Sequence, residues 1–239
     1  MDRDADRLSH MTEQLQGVPF IRLPAFDGRA LGDEELDQIR AERPNATWSR
    51  GQVGCLFSHI DAWRRIAAGD DAYGIVLEDD LHLSPDFAPL VAALPGAALP
   101  GDAEIIRLEA TTNKVRLDKS DAQFQGRDLS RLRSTTWCTG AYMLSKAGAE
   151  RLLALPANTH TVADYFLFCF EASPVPSTFG IYQMVPAVAV QDKHANPQSA
   201  TFGSNIEGDA GSDREPLTLQ TLYGKVRRLL AGFRRVGFR

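Results

Sequence analysis

Cysteine is scarce in this sequence. The 239 residues hold three, Cys55, Cys138 and Cys169, scattered and without a Cys-x-x-Cys pair. That pattern excludes a disulfide framework and a zinc knuckle, and each cysteine, among apolar neighbours, reads as a small core residue. Long apolar runs are also missing, and no signal peptide stands out, so a cytoplasmic protein is expected. An excess of positive charge is absent as well. Lys and Arg number 26 against 31 Asp and Glu, a net charge of -5, which argues against nucleic-acid binding by the body of the protein. What the chain does have is 44% hydrophobic and 24% charged residues over an enzyme-sized length, enough to bury a full α/β core in one domain.

The most informative stretch is Ala72-Tyr73-Gly74-Ile75-Val76-Leu77-Glu78-Asp79-Asp80, an apolar run ending in three carboxylates. The run predicts a strand covered on both faces, as in a mostly parallel sheet between helix layers. Acids do not belong inside such a sheet, so they mark where the strand emerges, and ligands of open α/β sheets sit at the carboxyl ends of strands. Three adjacent negative charges need compensation, and all-oxygen ligation suits magnesium or manganese. The plainer alternative is a solvated acidic turn.

Before this strand, Asp2 to Leu15 predicts a polar helix, Pro19 to Leu23 a short strand, Phe26-Asp27-Gly28-Arg29 a turn, and Asp33 to Ala41 a short helix. Ser49-Arg50-Gly51-Gln52 has the form of a capping box and opens a helix running to about Ala68. Gly51 and Gly54 each weaken that helix by roughly 1 kcal/mol relative to alanine, which suggests close approach of a backbone or a ligand at its first turn. His59, one turn beyond Cys55, reads either as a hydrogen-bonded, half-buried histidine or as a ligand.

After the acids, Ser84-Pro85-Asp86 predicts a helix start, Glu104 to Leu108 a strand, and Ala110 to Arg133 a mobile lid or acceptor loop. Thr135 to Leu144 predicts a strand interrupted by Gly140, and Ser145 caps a helix from Lys146 to Leu155. Asp164, in the apolar segment Thr161 to Phe170, is either an N-cap or a general base whose surroundings favour its protonated form. The strand Ala187 to Val190 delivers Gln191, Asp192, Lys193 and His194 at its end, and Gly203 to Ser212 reads as loop. Residues 216–239 form a separate basic segment. There Leu219, Leu222, Tyr223, Val226, Leu229, Leu230 and Phe233 recur at helical spacing beside Lys225, Arg227, Arg228, Arg234, Arg235 and Arg239. It reads as an amphipathic helix, either binding anionic lipid as a peripheral anchor or packed on the core.

Several blocks together resemble glycosyltransferase family 25, the enzymes of bacterial lipooligosaccharide biosynthesis related to collagen galactosyltransferase domains. They are Gly51 to His59 with Trp63, Val76 to Asp80, Thr139 to Ser145 with Gly148-Ala149, Val162 to Asp164, Pro186-Ala187 through Gln191, and the short Phe26-Asp27-Gly28. The blocks occur in family order across most of the chain to about Asn205. The resemblance implies a catalytic domain over residues 1–215 with a GT-A-like nucleotide-sugar fold. It implies a UDP-sugar donor, a galactose or related hexose, and inverting transfer to a saccharide or glycolipid acceptor in surface-glycan synthesis. It also implies Mn2+ or Mg2+ at the acidic motif, with Asp80 the main ligand, Glu78 and Asp79 its helpers and His194 a further ligand. Asp164 would be the base, Gly54, Ser58 and His59 would line the donor side, and Tyr142 and Gln191 the sugar or acceptor side.

Two departures stand out. Gln52 occupies a position where the family usually carries glutamate, and Met1 to Arg7 resembles only the tail of the family's opening strand, so the sheet is expected to lack its first strand. Two other readings use the same residues: a non-catalytic relative that binds saccharide or a partner protein, and a magnesium-dependent phosphate-transfer enzyme.

Overall fold

The computed structural model describes residues 5–41, 48–120, 122–155, 162–195, 201–202 and 232–239. The chain opens with α1 (Ala5–Gln14), a 3-10 turn (Gly28–Ala30), α2 (Asp33–Ala41) and the long α3 (Arg50–Ala68). Next come β1 (Tyr73–Leu77), β2 (Leu81–Leu83), α4 (Phe87–Ala92), β3 (Ile105–Arg107), β4 (Ala122–Phe124), β5 (Arg127–Arg131) and β6 (Ala141–Ser145). The last described elements are α5 (Lys146–Leu153), α6 (Ala163–Phe168), α7 (Val175–Thr178), β7 (Ile181–Val185), β8 (Ala189–Gln191) and α8 (Asp192–Ala195).

The fold is α/β, with helices on both faces of a six-stranded sheet of order β1-β6-β3-β7-β5-β4 and a small β2-β8 ribbon beside it. Alternation along the strands divides the core. Ile105, Tyr142 and Leu144 join Trp63, Phe166 and Phe168 of α3 and α6 on one face, whereas Ile106, Met143 and Met184 meet Met11, Phe87 and Leu90 on the other.

The expectation of a mostly parallel sheet is corrected: of the ladders in the large sheet only β3 with β7 is parallel, and β1-β6, β3-β6, β5-β7 and β4-β5 are antiparallel. A buried apolar strand looks the same in either sense, because its composition reports burial and not direction. Coverage of β1 on both faces is corrected too. All five of its residues are only partly buried, since β1 is the end strand of the sheet, and among the described residues β6 alone pairs with it.

Local rules held where the partners are near in sequence. The capping box is complete, with the Ser49 N–H donating to Gln52 Oε1 at 2.8 Å and the Gln52 N–H to Ser49 Oγ at 3.2 Å. Ser145 caps α5 by accepting from the Gly148 N–H at 2.9 Å. Pro19 to Leu23 forms no strand and leaves Phe20 and Ile21 exposed. The expected loop from Ala110 to Arg133 instead contains the β4-β5 hairpin, turned by Gln125 and Gly126, both at positive φ as a two-residue hairpin turn requires.

The proposed basic helix falls mostly on residues 203–231, as does the expected loop from Gly203 to Ser212, outside the described residues. Its end, residues 232–239, is not helical. It docks on the body in extended form through bridges from Arg234 to Val115 and Phe238 to Ala187, with Val236 buried in the core. Among the described residues no helix is long and apolar enough to cross a membrane.

Candidate active site

A trough of about 1560 Å³ runs along the outer edge of β1 and ends at the three acids. Its walls include α1 with the following extended segment, the Phe26 to Arg29 turn, one face of α3, all of β1, and Gln191 and Lys193. The sequence makes this space by placing glycines where backbones cross. A Cβ on Gly54 would lie 2.9 Å from Gly28 N and 3.0 Å from Phe26 O, so the turn packs directly on α3. Ser58 fixes the same crossing, its hydroxyl accepting from the Phe26 N–H at 2.9 Å and donating to Gly54 O at 3.0 Å. Gly54 and Ser58 therefore hold the Phe26 to Arg29 turn against α3.

The three acids have separate roles. Glu78 is a hub. Its Oε1 accepts from the Thr139 hydroxyl at 2.9 Å and faces His59 Nε2 at 3.3 Å, while Oε2 accepts from Gln191 Nε2 at 2.9 Å. Burial opposes ionisation here, but the His59 contact and the Thr139 hydrogen bond outweigh it and hold Glu78 below the usual carboxylate range. Asp79 is turned to Arg7 of α1 at 2.6 Å. Asp80 is pushed up to about 6 by burial and by the charge on Glu78.

His59 is buried, and its other nitrogen, Nδ1, lies 2.8 Å from the Tyr142 hydroxyl, which also accepts the Trp63 indole N–H at 2.7 Å. Tyr142 is 0% exposed, so its expected place against the sugar or acceptor is corrected: its position inside β6 points the ring into the helix-side core, where it supports His59 from behind.

Further acid lies deeper. Glu109, two residues beyond β3, is 1% exposed, accepts from the Gly140 N–H at 2.9 Å and stands 3.8 Å from Arg107. Arg107 spends its donors on Gln183 Oε1 and the carbonyls of Trp137 and Cys138, so burial wins at Glu109 and pushes its carboxyl up to about 8. Sequence reading passed over this residue. The alternation Arg107-Leu108-Glu109 in an apolar strand, two opposite charges on one face, was the sign of it.

The structure brings Glu78, Asp80, His59 and Gln191 together at the trough. Asp164 and His194 both lie against Cys138. Asp164 is in the first turn of α6, whose N-cap is Val162, so it is not the cap. It accepts from the Tyr165 N–H at 2.8 Å and the Cys138 N–H at 3.2 Å. His194 is exposed, with Nε2 3.8 Å from Cys138 Sγ.

One compact group of side chains and some unpartnered oxygens are candidates for holding a cation. Cys55, His59 and Glu78 offer ligand atoms within 4.8 Å of one another, a mixed S, N, O set of the kind that suits zinc. Burial and the surrounding carboxylates push the Cys55 thiol well up, and His59 and Glu78 are already bonded to each other, so this set is satisfied as it stands. The unpartnered candidates are oxygen atoms. Asp80 Oδ1, Glu109 Oε1 and Gln191 Oε1 are buried acceptors with no hydrogen-bond partner among the described residues, and Asp80 and Gln191 belong to the trough wall. Unpartnered buried oxygens without a donor fit a hard divalent cation.

The sequence model of glycosyltransferase family 25 (LPS biosynthesis protein) matches residues 1–167. The lipooligosaccharide biosynthesis protein lex-1 of Haemophilus influenzae is 26% identical over 190 residues, 76% of this chain and 62% of its own length. A putative glycosyltransferase of the same species is 24% identical over 231 residues, covering 92% of this chain and 80% of its own. A bovine protein named probable inactive glycosyltransferase 25 family member 3 is 28% identical over 152 residues, 61% of this chain and 25% of its own. The chain thus spans less than two thirds of lex-1 and a quarter of the bovine protein. With the matched region containing the acid-tipped strand, the helix before it and the Asp164 turn, the chain belongs to glycosyltransferase family 25.

Proposed function

We propose that the chain is an inverting hexosyltransferase that uses a UDP-sugar, with galactose the favoured hexose, and a saccharide or glycolipid acceptor in the synthesis of lipopolysaccharide or a related surface glycan. The observation that carries this reading is the pair of unpartnered oxygens, Asp80 Oδ1 and Gln191 Oε1, in the wall of a trough large enough for a sugar nucleotide. A manganese or magnesium ion held by Asp80, with Glu78 and Gln191 beside it in the trough wall, would neutralise charge on the departing diphosphate.

The chain's own groups do the rest. Glu78 stays ionised under its three donors and fixes His59, Thr139 and Gln191 in place. Lys193, in the trough wall, adds positive charge for the diphosphate. Asp164, oriented by two backbone N–H groups, takes the proton of the acceptor hydroxyl. The acceptor oxygen then forms its bond to the anomeric carbon as the bond from that carbon to the UDP oxygen breaks on the opposite face, and UDP leaves with the electron pair.

The test is a screen of UDP-hexoses with and without manganese, on the wild-type chain beside Asp80→Ala. Metal-dependent release of UDP from one donor, lost in the variant, is the expected result. No release from any donor, with no thermal stabilisation by UDP and manganese, would leave the saccharide-binding relative as the better reading.

A further inference from the structure

Trp137 is 38% exposed, although it precedes a buried strand by only a few residues. Its ring stacks on Tyr165 of α6, with centroids 6.2 Å apart and planes 28° apart, and Trp48 meets the same tyrosine edge-on at 6.1 Å. Three aromatic rings from three separate parts of the chain thus form one ledge beside Asp164.

The ledge is built rigidly. Fully buried Arg107 donates to the Trp137 carbonyl at 3.1 Å and to the Cys138 carbonyl at 2.6 Å, while Asp164 takes the Cys138 N–H at 3.2 Å from the other side. Cys138 itself sits at φ +69°, a left-handed conformation that costs a non-glycine residue energy and persists where surrounding bonds enforce it. A buried guanidinium spent on two successive carbonyls, with Cys138 in a left-handed conformation, fixes the backbone that carries Trp137, and its ring rests on Tyr165.

We propose that this Trp137–Tyr165 ledge is the acceptor subsite, receiving a pyranose ring of the saccharide whose hydroxyl Asp164 deprotonates. The chemistry of the ledge selects the occupant. The electron-rich face of an indole attracts the weakly positive axial C–H groups of a sugar ring, and the hydrogen-bonding groups alongside, Asp164 and His194, match its hydroxyls. An apolar protein partner would instead leave those polar groups buried against it. Position supports the same choice: Trp137 is two residues from Thr139, which bonds Glu78, so the ledge lies about 7 Å of chain from the donor-side acids, roughly one sugar ring. The proposal rests on the transferase reading only for the word acceptor.

Saturation-transfer NMR with lactose, cellobiose and melibiose on the wild-type chain, Trp137→Phe and Trp137→Ala tests it. Transfer to pyranose C–H protons is expected in the wild type, partial retention in the phenylalanine variant, and about tenfold weaker binding in the alanine variant. The thermal midpoint of each variant reports that the exposed position has not disturbed the fold. Unchanged binding in Trp137→Ala, or no binding of any of the three sugars by the wild type, would overturn the ledge. UDP-hexose turnover by the wild type, measured separately, judges the transferase reading: sugar binding that depends on Trp137 without any donor turnover would refute that reading and keep the ledge.

Discussion

The Tyr142 hydroxyl bridges Trp63 and His59, and this fixes the tautomer of the histidine. The indole N–H of Trp63 can only donate, so Tyr142 accepts there at 2.7 Å and directs its own O–H as donor to His59 Nδ1 at 2.8 Å. Burial pushes the Tyr142 phenol up, which keeps that proton in place. His59 then carries hydrogen on Nε2 and presents it to Glu78.

Tyr142→Phe breaks this chain at its middle. It strands one buried donor on Trp63 and one acceptor on His59, at a cost of about 1–3 kcal/mol of stability measured by urea unfolding. Nitrogen NMR of His59 is expected to show a mixture of tautomers in the variant and the Nε2–H form alone in the wild type.

Glu109→Gln tests the buried carboxyl. A group held at about 8 in the folded chain keeps a proton that the unfolded chain releases near its ordinary value. Folding stability therefore falls as pH rises from that ordinary value through 8, by up to about 1.4 kcal/mol per pH unit, and levels off above. Denaturation at a series of pH values is expected to show this slope in the wild type and its loss in the variant.

Asp80→Asn separates stability from function. Because Asp80 is pushed up to about 6, its charged form is unfavourable in the folded chain above that pH. The amide removes that penalty, so without metal the variant is expected to be as stable as the wild type or more stable by about 1 kcal/mol at neutral pH. Thermal shift in the presence of UDP and manganese is expected to move in the other direction, with the wild type stabilised and the variant not.

Gly54→Ala weighs two opposing effects. Alanine favours the helix by about 1 kcal/mol, but its Cβ would meet the backbone of Gly28 and Phe26 at 2.9 to 3.0 Å. Backbone cannot swing aside as a side chain can, so a net loss of about 1–3 kcal/mol is expected by thermal or urea unfolding.

What the sequence disclosed was local. The Ser49 and Gln52 exchange, the Ser145 cap and the acids at the end of β1 each depend on residues within a few positions, and the structure shows them as read. Strand direction depended on partners far away: β1 pairs with β6, nearly seventy residues on, and β7, the strand that joins β3 to β5, went unread although Gly180 and Pro186 bracket it. The candidate site divides the same way. Asp80 and Gln191 were found from strand ends. Glu109 and Arg107 were missed because a buried ion pair in a core strand looks like noise in an apolar pattern, and Tyr142 was placed on the sugar or acceptor side from the family resemblance, which carries no information on its burial.

The segment from Trp137 to Gly140 touches a different partner at every residue: the aromatic ledge, then Asp164, then Glu78, then Glu109. Such a stretch works as a ruler. It sets the spacing between the aromatic ledge and the acids at the end of β1 by peptide geometry, so inserting or deleting one residue there would put one set of these bonds out of register with the other.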